Sequence, residues 1–217
     1  MHPMMPESVA VAVFAKAPRP GEVKTRLIPR LGTQGAASLQ HRLLDRTLQT
    51  ALAAEVGPVS LWCWPACDDP LFADIHQKFK VSAYNQTGAD LGERMWHAFA
   101  QLCPQRPTLL IGADCPVLSA EDLRHAARAL FDGCDAVLLP AEDGGYVLIA
   151  LRRAESSLFS GIRWSTESVM QETRDRLKRN SLRWVEPKRL WDVDRPEDLD
   201  RLRASGLLGE WFAEQGQ

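Results

Sequence analysis

Residues 14–27 read FAKAPRPGEVKTRL, and the rest of the chain is read outward from them. They overlap the end of an unbroken apolar run, VAVAVF at 9–14, and precede a segment patterned as a helix. An apolar run without alternation predicts a strand buried on both faces, as in parallel sheets. The loop after it carries Lys16, Lys24 and Arg26, stiffened by two prolines and one glycine. Arginine can grip a phosphate through two parallel hydrogen bonds and lysine as a point charge, so the loop reads as a phosphate holder. Its spacing matches neither common phosphate loop. A dinucleotide site needs G-x-G-x-x-G after the strand, and a P-loop needs G-x-x-x-x-G-K-[ST]. Gly21 is the loop's only glycine, and Val23-Lys24-Thr25 mimics only the end of the second motif. Anions are therefore expected to meet side chains here more than backbone amides. A solvated basic turn is the plain alternative.

Outward from this loop, strand and helix patterns alternate. Leu39, Leu43, Leu44, Leu48, Ala51 and Leu52 recur at helical spacing, predicting a helix over 36–55 that Gly57-Pro58 ends. Further strands are expected at 59–64, 81–84, 108–112, 135–140, 146–151 and 182–185. Helices are expected at 70–79, 93–103, after a Ser119 cap with Asp122 as its reciprocal partner, after a 164–166 cap, and from 192–196 to about 204. The tail, 207–217, offers Leu208, Trp211 and Phe212 for a short amphipathic turn. This alternation implies an α/β fold with a mostly parallel sheet and helices on both faces. The reading is a single domain over 1–217 with its core at about 9–204. Ligands bind such sheets outside the carboxyl ends of the strands. The polar loops 16–26, 85–94, 112–116 and 141–145 should therefore converge on one rim.

Those loops carry the chemistry. GADCP after TLLIG puts Asp114 at the tip of a buried strand, where a carboxylate suits Mg²⁺ or Mn²⁺ with phosphates completing the shell. The alternative is an aspartate capping the next turn. In DVDRPEDL, 192–199, Asp194 reads as a helix cap with Glu197 three residues on and Pro196 in the first turn. Asp192 is left over as a second carboxylate for a metal shared with Asp114. Glu142-Asp143-Gly144-Gly145-Tyr146 pairs carboxylates with glycines that admit close approach, so it suits a general base or hydroxyl anchors, or else a hairpin-like turn. Gly92, entering a helix, offers backbone on which a flat base can lie, with Gln86 or Asp90 at its edge. Trp164 reads as core packing or as a stacking surface. The histidines (His2, His41, His76, His97, His125) lack ligand spacing and receive no role.

Bulk properties narrow the class. A net charge of −2 gives no basic field for nucleic acid. No stretch reaches the roughly 18 apolar residues of a membrane span. The N-terminus lacks a basic region before its apolar run, so no signal peptide is expected. Cys63, Cys67, Cys103, Cys115 and Cys134 form no C-x-x-C pair, which argues against zinc and for reduced thiols in the cytoplasm.

Taken together, FAKAPRPGEVKTRL, GADLGERM, IGADCP, EDGGYVLIAL, WST and DVDRPEDL resemble a bacterial family of GT-A-fold glycosyltransferases (DUF2064-like) over about 9–202. The resemblance implies a Rossmann-like three-layer sandwich that uses a nucleotide-diphosphate-sugar and an unassigned small acceptor. It implies Ala15, Lys16, Lys24 and Arg26 around the phosphates and Asp90 and Gly92 near the base. Asp114 would hold the metal with Asp192 and Asp194. Gly144, Gly145, Tyr146 and Trp164 would face the acceptor, and Arg26, Asp114 and Asp143 would act in catalysis. GADCP has one aspartate where many such transferases carry D-x-D, and the G-x-G-x-R-M loop of nucleotidyltransferases is missing. KTRL is also similar to the phospholactate guanylyltransferase group, whose acceptor loop is of Gly-Thr-Asn type. That likeness implies the alternative of nucleotidyl transfer from a triphosphate. A non-catalytic nucleotide-binding module is the third reading.

Overall fold

The structure, a computed structural model, describes residues 8–214. Among them, strands β1 (Ala10–Lys16), β2 (Val59–Trp64), β3 (Ser82–Asn85), β4 (Thr108–Gly112), β5 (Ala136–Pro140), β6 (Tyr146–Leu151) and β7 (Trp184–Val185) form one sheet. Its order is β3-β2-β1-β4-β6-β5-β7. β1 pairs in parallel with β2 and β4, and β2 with β3 and β5 with β7 are also parallel. β6 alone runs antiparallel, to both β4 and β5. Reversing β6 brings its first residue, Tyr146, to the rim where β1, β4 and β5 end. Loops 16–26, 112–116 and 141–145 thus converge as expected, whereas 85–94, beyond the edge strand β3, reaches them only through Leu91.

The apolar run of β1 is buried on both sides, as its lack of alternation requires. Val11, Val13 and Ala15 pack with Leu44 and Leu48 of α1 (Ile28–Ala53) and Leu123 and Ala127 of α4 (Ala120–Phe131). Ala12 and Phe14 pack on the other face with Met95 and Phe99 of α3 (Leu91–Leu102) and Met170 and Leu177 of α5 (Val169–Arg179). A short α2 (Ala73–Phe79) covers β2 and β3. This is the mixed α/β sandwich that the alternating pattern implied.

A third apolar cluster lies beside the rim. Leu27, at the end of the basic loop, and Leu39 and Leu43 of α1 meet Trp191 and Val193. Leu199 and Leu202 of α6 (Pro196–Ala204) and Trp211 and Phe212 of α7 (Gly209–Glu214) complete it. This cluster fastens the DVDRPEDL segment against the basic loop, although almost the whole chain separates them in sequence.

Three local readings change. The first helix begins at Ile28 instead of 36, with Pro29 in its first turn, and Gly32 (φ 67°, ψ 172°) breaks it before it runs on to Ala53. Glycine tolerates that backbone at little cost, so a breaker sits inside the helix. At α6 the cap shifts by one residue from Asp194/Glu197. The Asp198 carboxylate accepts the N–H groups of Arg195 at 2.6 Å and Asp194 at 2.9 Å. Pro196 takes the first helical position, which makes Arg195 the cap and leaves the Asp194 side chain free for another partner. Before α5, Trp164–Thr166 form a turn and the cap position falls at Ser168. The Ser119–Asp122 box at α4 forms as expected, with bonds of 3.2 and 2.9 Å.

Residues 1–7, with His2, and 215–217 lie outside the described residues. Among the described residues no helix is long and apolar enough to cross a membrane. Val193→Ala removes fully buried methyls from the third cluster. It is expected to lower unfolding free energy by about 2 kcal/mol from lost transfer and cavity terms. An unchanged urea midpoint would contradict the claim that this cluster anchors the rim.

Candidate active site

The rim loops enclose a cleft of about 1170 Å³. Lys24, Arg26, Asp114, Asp143, Asp192 and Asp194 all line it. The last two arrive there by alternation. In the stretch leading to α6, Trp191 and Val193 join the third cluster, Trp191 also reaching the cleft, while Asp192 and Asp194 turn to the cleft. The stretch is tied down by the Val193 amide, which donates to the Asp114 carbonyl at 3.0 Å, and the Leu190 amide, which donates to Pro140 at 2.9 Å.

Lys24 stands at the centre. Its backbone is left-handed (φ 47°, ψ 40°) at the start of a tight turn, Thr25–Leu27. A non-glycine residue there costs about 1–3 kcal/mol and persists where the surroundings hold it. Its side chain is only 4% exposed, and its ammonium lies 2.5 Å from Asp114 Oδ1. That oxygen is buried, and the ammonium is its partner. Arg26 forms the second pair, donating to Asp194 Oδ2. This pair is well exposed, so it contributes little to stability. Two of the three cations expected to hold phosphate, Lys24 and Arg26, are thus bound, in the free protein, to carboxylates expected to hold metal.

Of the remaining loop cations, Lys16 closes the loop on itself and Arg19 ties it to the segment after β2. Lys16 donates to the Glu22 carbonyl at 2.7 Å, away from the cleft lining. Arg19, passed over in the sequence, donates twice to Asp69 Oδ2, at 3.0 and 2.6 Å.

The 141–145 loop forms the opposite wall. Gly144 is left-handed (φ 93°), and a Cβ there would lie 2.3 Å from the Glu167 carbonyl oxygen. The Gly144 carbonyl accepts the Met170 amide at 2.8 Å. Asp143 Oδ1 accepts the Gly145 amide at 2.9 Å, which aims its carboxylate at the cleft mouth. Glu142 turns to Arg201, at 2.7 and 3.1 Å, and that guanidinium holds its carboxyl below the usual range. Arg189 donates to the Ala141 and Glu142 carbonyls at 3.3 and 2.7 Å and so braces the loop. Sequence reasoning missed Arg189 because it belongs to no motif. It also gave no role to Arg195, a cleft-lining side chain read only as part of a helix start. Tyr146 lines the cleft with its hydroxyl 3.8 Å from Met95 Sδ, and burial pushes its phenol up.

Besides Lys16, four expected nucleotide contacts fall outside the lining. Ala15 is buried in β1, and its carbonyl accepts from Gln86 at 3.2 Å. The Gln86 amide also donates to Trp62 at 2.8 Å, so this buried side chain stitches β1 to β2 and is not free to read a base edge. Asp90 caps α3, accepting the Glu93 amide at 2.8 Å. Gly92 is covered by Trp164, since a Cβ there would lie 2.4 Å from the indole Nε1.

The donors suited to a divalent cation are carboxylate oxygens, the ligands that Mg²⁺ and Mn²⁺ prefer. Asp114 fits by its charge and its place in the cleft, and a cation there would displace the Lys24 ammonium from Oδ1. Asp192 feels both Asp114 and Asp143, and its carboxyl is pushed from 3.8 up to about 6, first by burial and then by these neighbouring charges. Asp194 is engaged with Arg26, so the expected trio does not gather. Among the described residues no three His, Cys, Asp or Glu side chains form a metal group. Substrate oxygens would have to complete any shell. Cys115 also lines the cleft, but burial pushes its thiol up to about 12, which makes it a poor nucleophile.

With this geometry in place, the comparisons can be read. A family model described as uncharacterized protein conserved in bacteria (DUF2064) matches residues 47–166. The chain belongs to the DUF2064 family. A solved structure, a candidate nucleotide-diphospho-sugar transferase from Desulfovibrio desulfuricans G20, is 32% identical, with 92% of this chain and 87% of that one covered and a TM-score of 0.84. A 4-diphosphocytidyl-2C-methyl-D-erythritol synthase from Anaerococcus prevotii is 15% identical (94% and 99% covered, TM-score 0.60). A CMP:2-keto-3-deoxy-manno-octonic acid synthetase complexed with CTP is 17% identical (91% and 98% covered, TM-score 0.57). The last two share the fold with this DUF2064 chain. Among curated proteins none matches it.

The raised Asp192 carboxyl has a signed consequence. An acid with a higher pKa folded than unfolded stabilises the fold fully below the unfolded value and loses that contribution as pH rises through the folded one. The window here runs from about pH 4 to 6. Asp192→Asn is expected to gain melting temperature over wild type progressively across this window, with a constant gain above it. A constant difference from pH 4 to 8 would refute the buried, charge-crowded placement of Asp192.

Proposed function

We propose that this protein transfers a glycosyl group from a nucleotide-diphosphate-sugar to a small acceptor at the rim of the sheet. The observation that carries the reading is the crossed pairing in the cleft, Lys24 with Asp114 and Arg26 with Asp194. The similarity to the candidate sugar-nucleotide transferase supports the choice of donor. Lys24 and Arg26 would bind the diphosphate of the donor and stabilise it as it leaves. Asp143, on the opposite wall beside Gly144 and Gly145, would take the proton of the acceptor hydroxyl as its oxygen bonds to the sugar carbon. The bond from that carbon to the diphosphate breaks, and a nucleoside diphosphate departs. A bound Mg²⁺ or Mn²⁺, held through Asp114 and Asp192, would supply charge neutralisation to the diphosphate. Five free cysteines fit a reducing compartment, in keeping with a cytoplasmic enzyme.

The crossed pairs make a thermodynamic demand. A diphosphate that captures Lys24 and Arg26 leaves Asp114 and Asp194 without partners, and a cation that captures Asp114 leaves Lys24 buried and unpaired. Removing one partner of a buried pair is costly, so each ligand alone binds weakly and the two together bind well. Calorimetry should show Mn²⁺ tightening a nucleoside diphosphate tenfold or more, about 1.4 kcal/mol of coupling. Lys24→Met should tighten Mn²⁺ alone, read by paramagnetic resonance, while weakening the diphosphate. Independence of the two ligands in wild type would overturn the exchange.

Arg26→Ala is expected to weaken nucleoside-diphosphate binding by about 1.5–3 kcal/mol, the range for a hydrogen bond to a charged group. The broader test is a thermal-shift screen of nucleotide-diphosphate-sugars and nucleoside triphosphates with and without Mn²⁺, since ligands stabilise by mass action. The proposal expects the sugar nucleotides to stabilise most. A preference for a triphosphate would replace it with nucleotidyl transfer, and stabilisation without any turnover would replace it with a binding module.

A further inference from the structure

Trp164 and Gly92 come from separate motifs, yet the fold lays one on the other. A Cβ on Gly92 would lie 2.4 Å from Nε1 of the indole and 2.6 Å from Cε2 and Cζ2. The ring therefore sits where only a glycine leaves room. Its N–H is buried and has no acceptor among the described residues. The next residue, Ser165, is held in a left-handed conformation at φ 62°, which a side-chain-bearing residue rarely adopts. The far end of the same turn is anchored, because the Glu167 backbone packs on Gly144 and the Met170 amide donates to the Gly144 carbonyl. Trp164 and Leu91 line the same cleft as Lys24 and Arg26.

We propose that the indole of Trp164 fills a ring subsite of the cleft, and that the base of a purine nucleotide takes its place over Gly92 when substrate binds. The inference rests on the nucleotide-donor reading and names the class of base. Indole is a fused six- and five-membered ring, the outline of a purine. A place that receives one closely receives the other without voids, whereas a single pyrimidine ring leaves part of the space without contacts. The chemistry agrees with displacement. A buried N–H without an acceptor disfavours the closed arrangement, and swinging Trp164 out returns that group to water. The strained joint at Ser165, two residues before the anchored Glu167, is where such a swing can pivot.

The experiment measures the affinities of GDP, ADP, UDP and CDP, each with Mn²⁺, for wild type, Trp164→Ala and Gly92→Ala. Wild type is expected to bind the two purine diphosphates more tightly than the two pyrimidine ones. Trp164→Ala vacates the subsite and should tighten GDP or ADP tenfold or more, with a smaller gain for UDP and CDP. Gly92→Ala places a methyl in the subsite and should weaken the purine diphosphates at least tenfold. Circular dichroism checks the fold of each variant. If Trp164→Ala does not fold, Trp164→Phe, with its single ring, should give an intermediate gain. In nitrogen-labelled protein the indole N–H signal lost in Trp164→Phe should shift when GDP is added to wild type. Weaker binding of all four nucleotides by Trp164→Ala would make the indole a wall of the site and overturn the proposal. So would unchanged affinities or a pyrimidine preference, both of which leave the donor reading standing. No binding of any nucleotide or sugar nucleotide to wild type would remove the donor reading and this inference together.

Discussion

The site depends on the contact between the Lys24 ammonium and Asp114 Oδ1, 2.5 Å apart with the lysine side chain almost wholly buried. A buried ion pair is a poor source of stability, because desolvating both charges offsets much of their attraction. Here the pair also holds a left-handed backbone at Lys24. Such strain persists only where the surroundings over-determine it. The buried Leu27 and Val23 flank the pair on the loop side, and the Val193 amide bonded to the Asp114 carbonyl fixes it on the other. A hydrophobic pair of similar size could satisfy the fold as well, so stability alone does not explain opposite charges here.

The sheet order explains why the basic loop faces the 141–145 loop across the cleft. Parallel β1 and β4 end side by side, and the loops beyond them both lead to helices on one face of the sheet, α1 and α4. The antiparallel β6 then begins where β4 ends, placing the 141–145 loop across the opening. In a wholly parallel sheet a strand at that position would start at the far end, and the Gly144–Gly145 turn would face away. One reversed strand therefore converts an open sheet end into a walled cleft.

Glycines fit the walls together. Gly144 admits the Glu167 backbone and Gly92 admits the Trp164 ring, so the turn at 163–168 clasps two other motifs at once. This accounts for the presence of a WST turn among loops that otherwise carry charge. Arg189 and Arg201 brace the same wall from behind through the Ala141 and Glu142 carbonyls and the Glu142 carboxylate. The cleft thus has a charged floor and a packed wall, and the two are held by different forces.

The sequence by itself determined the α/β class, most strand bounds, the capping box at Ser119 and the convergence of three of the four polar loops. These follow from local rules. An unbroken apolar run must be buried on both faces, a Ser with Asp three residues on satisfies free amides, and alternation of elements makes a parallel sheet. It also picked out Lys24, Arg26, Asp114, Asp143, Asp192 and Asp194, since charge at a strand end is visible in one dimension. Only the tertiary structure decided how they pair. Arg26 meets Asp194 because the third apolar cluster folds a distant segment back onto the basic loop. Asp194 faces the cleft because Pro196 shifts the helix cap by one residue. Gly92 is covered because a turn more than 70 residues away in sequence lays an indole on it. Each of these outcomes depends on which surfaces pack together across long sequence separations, which local spacing does not encode.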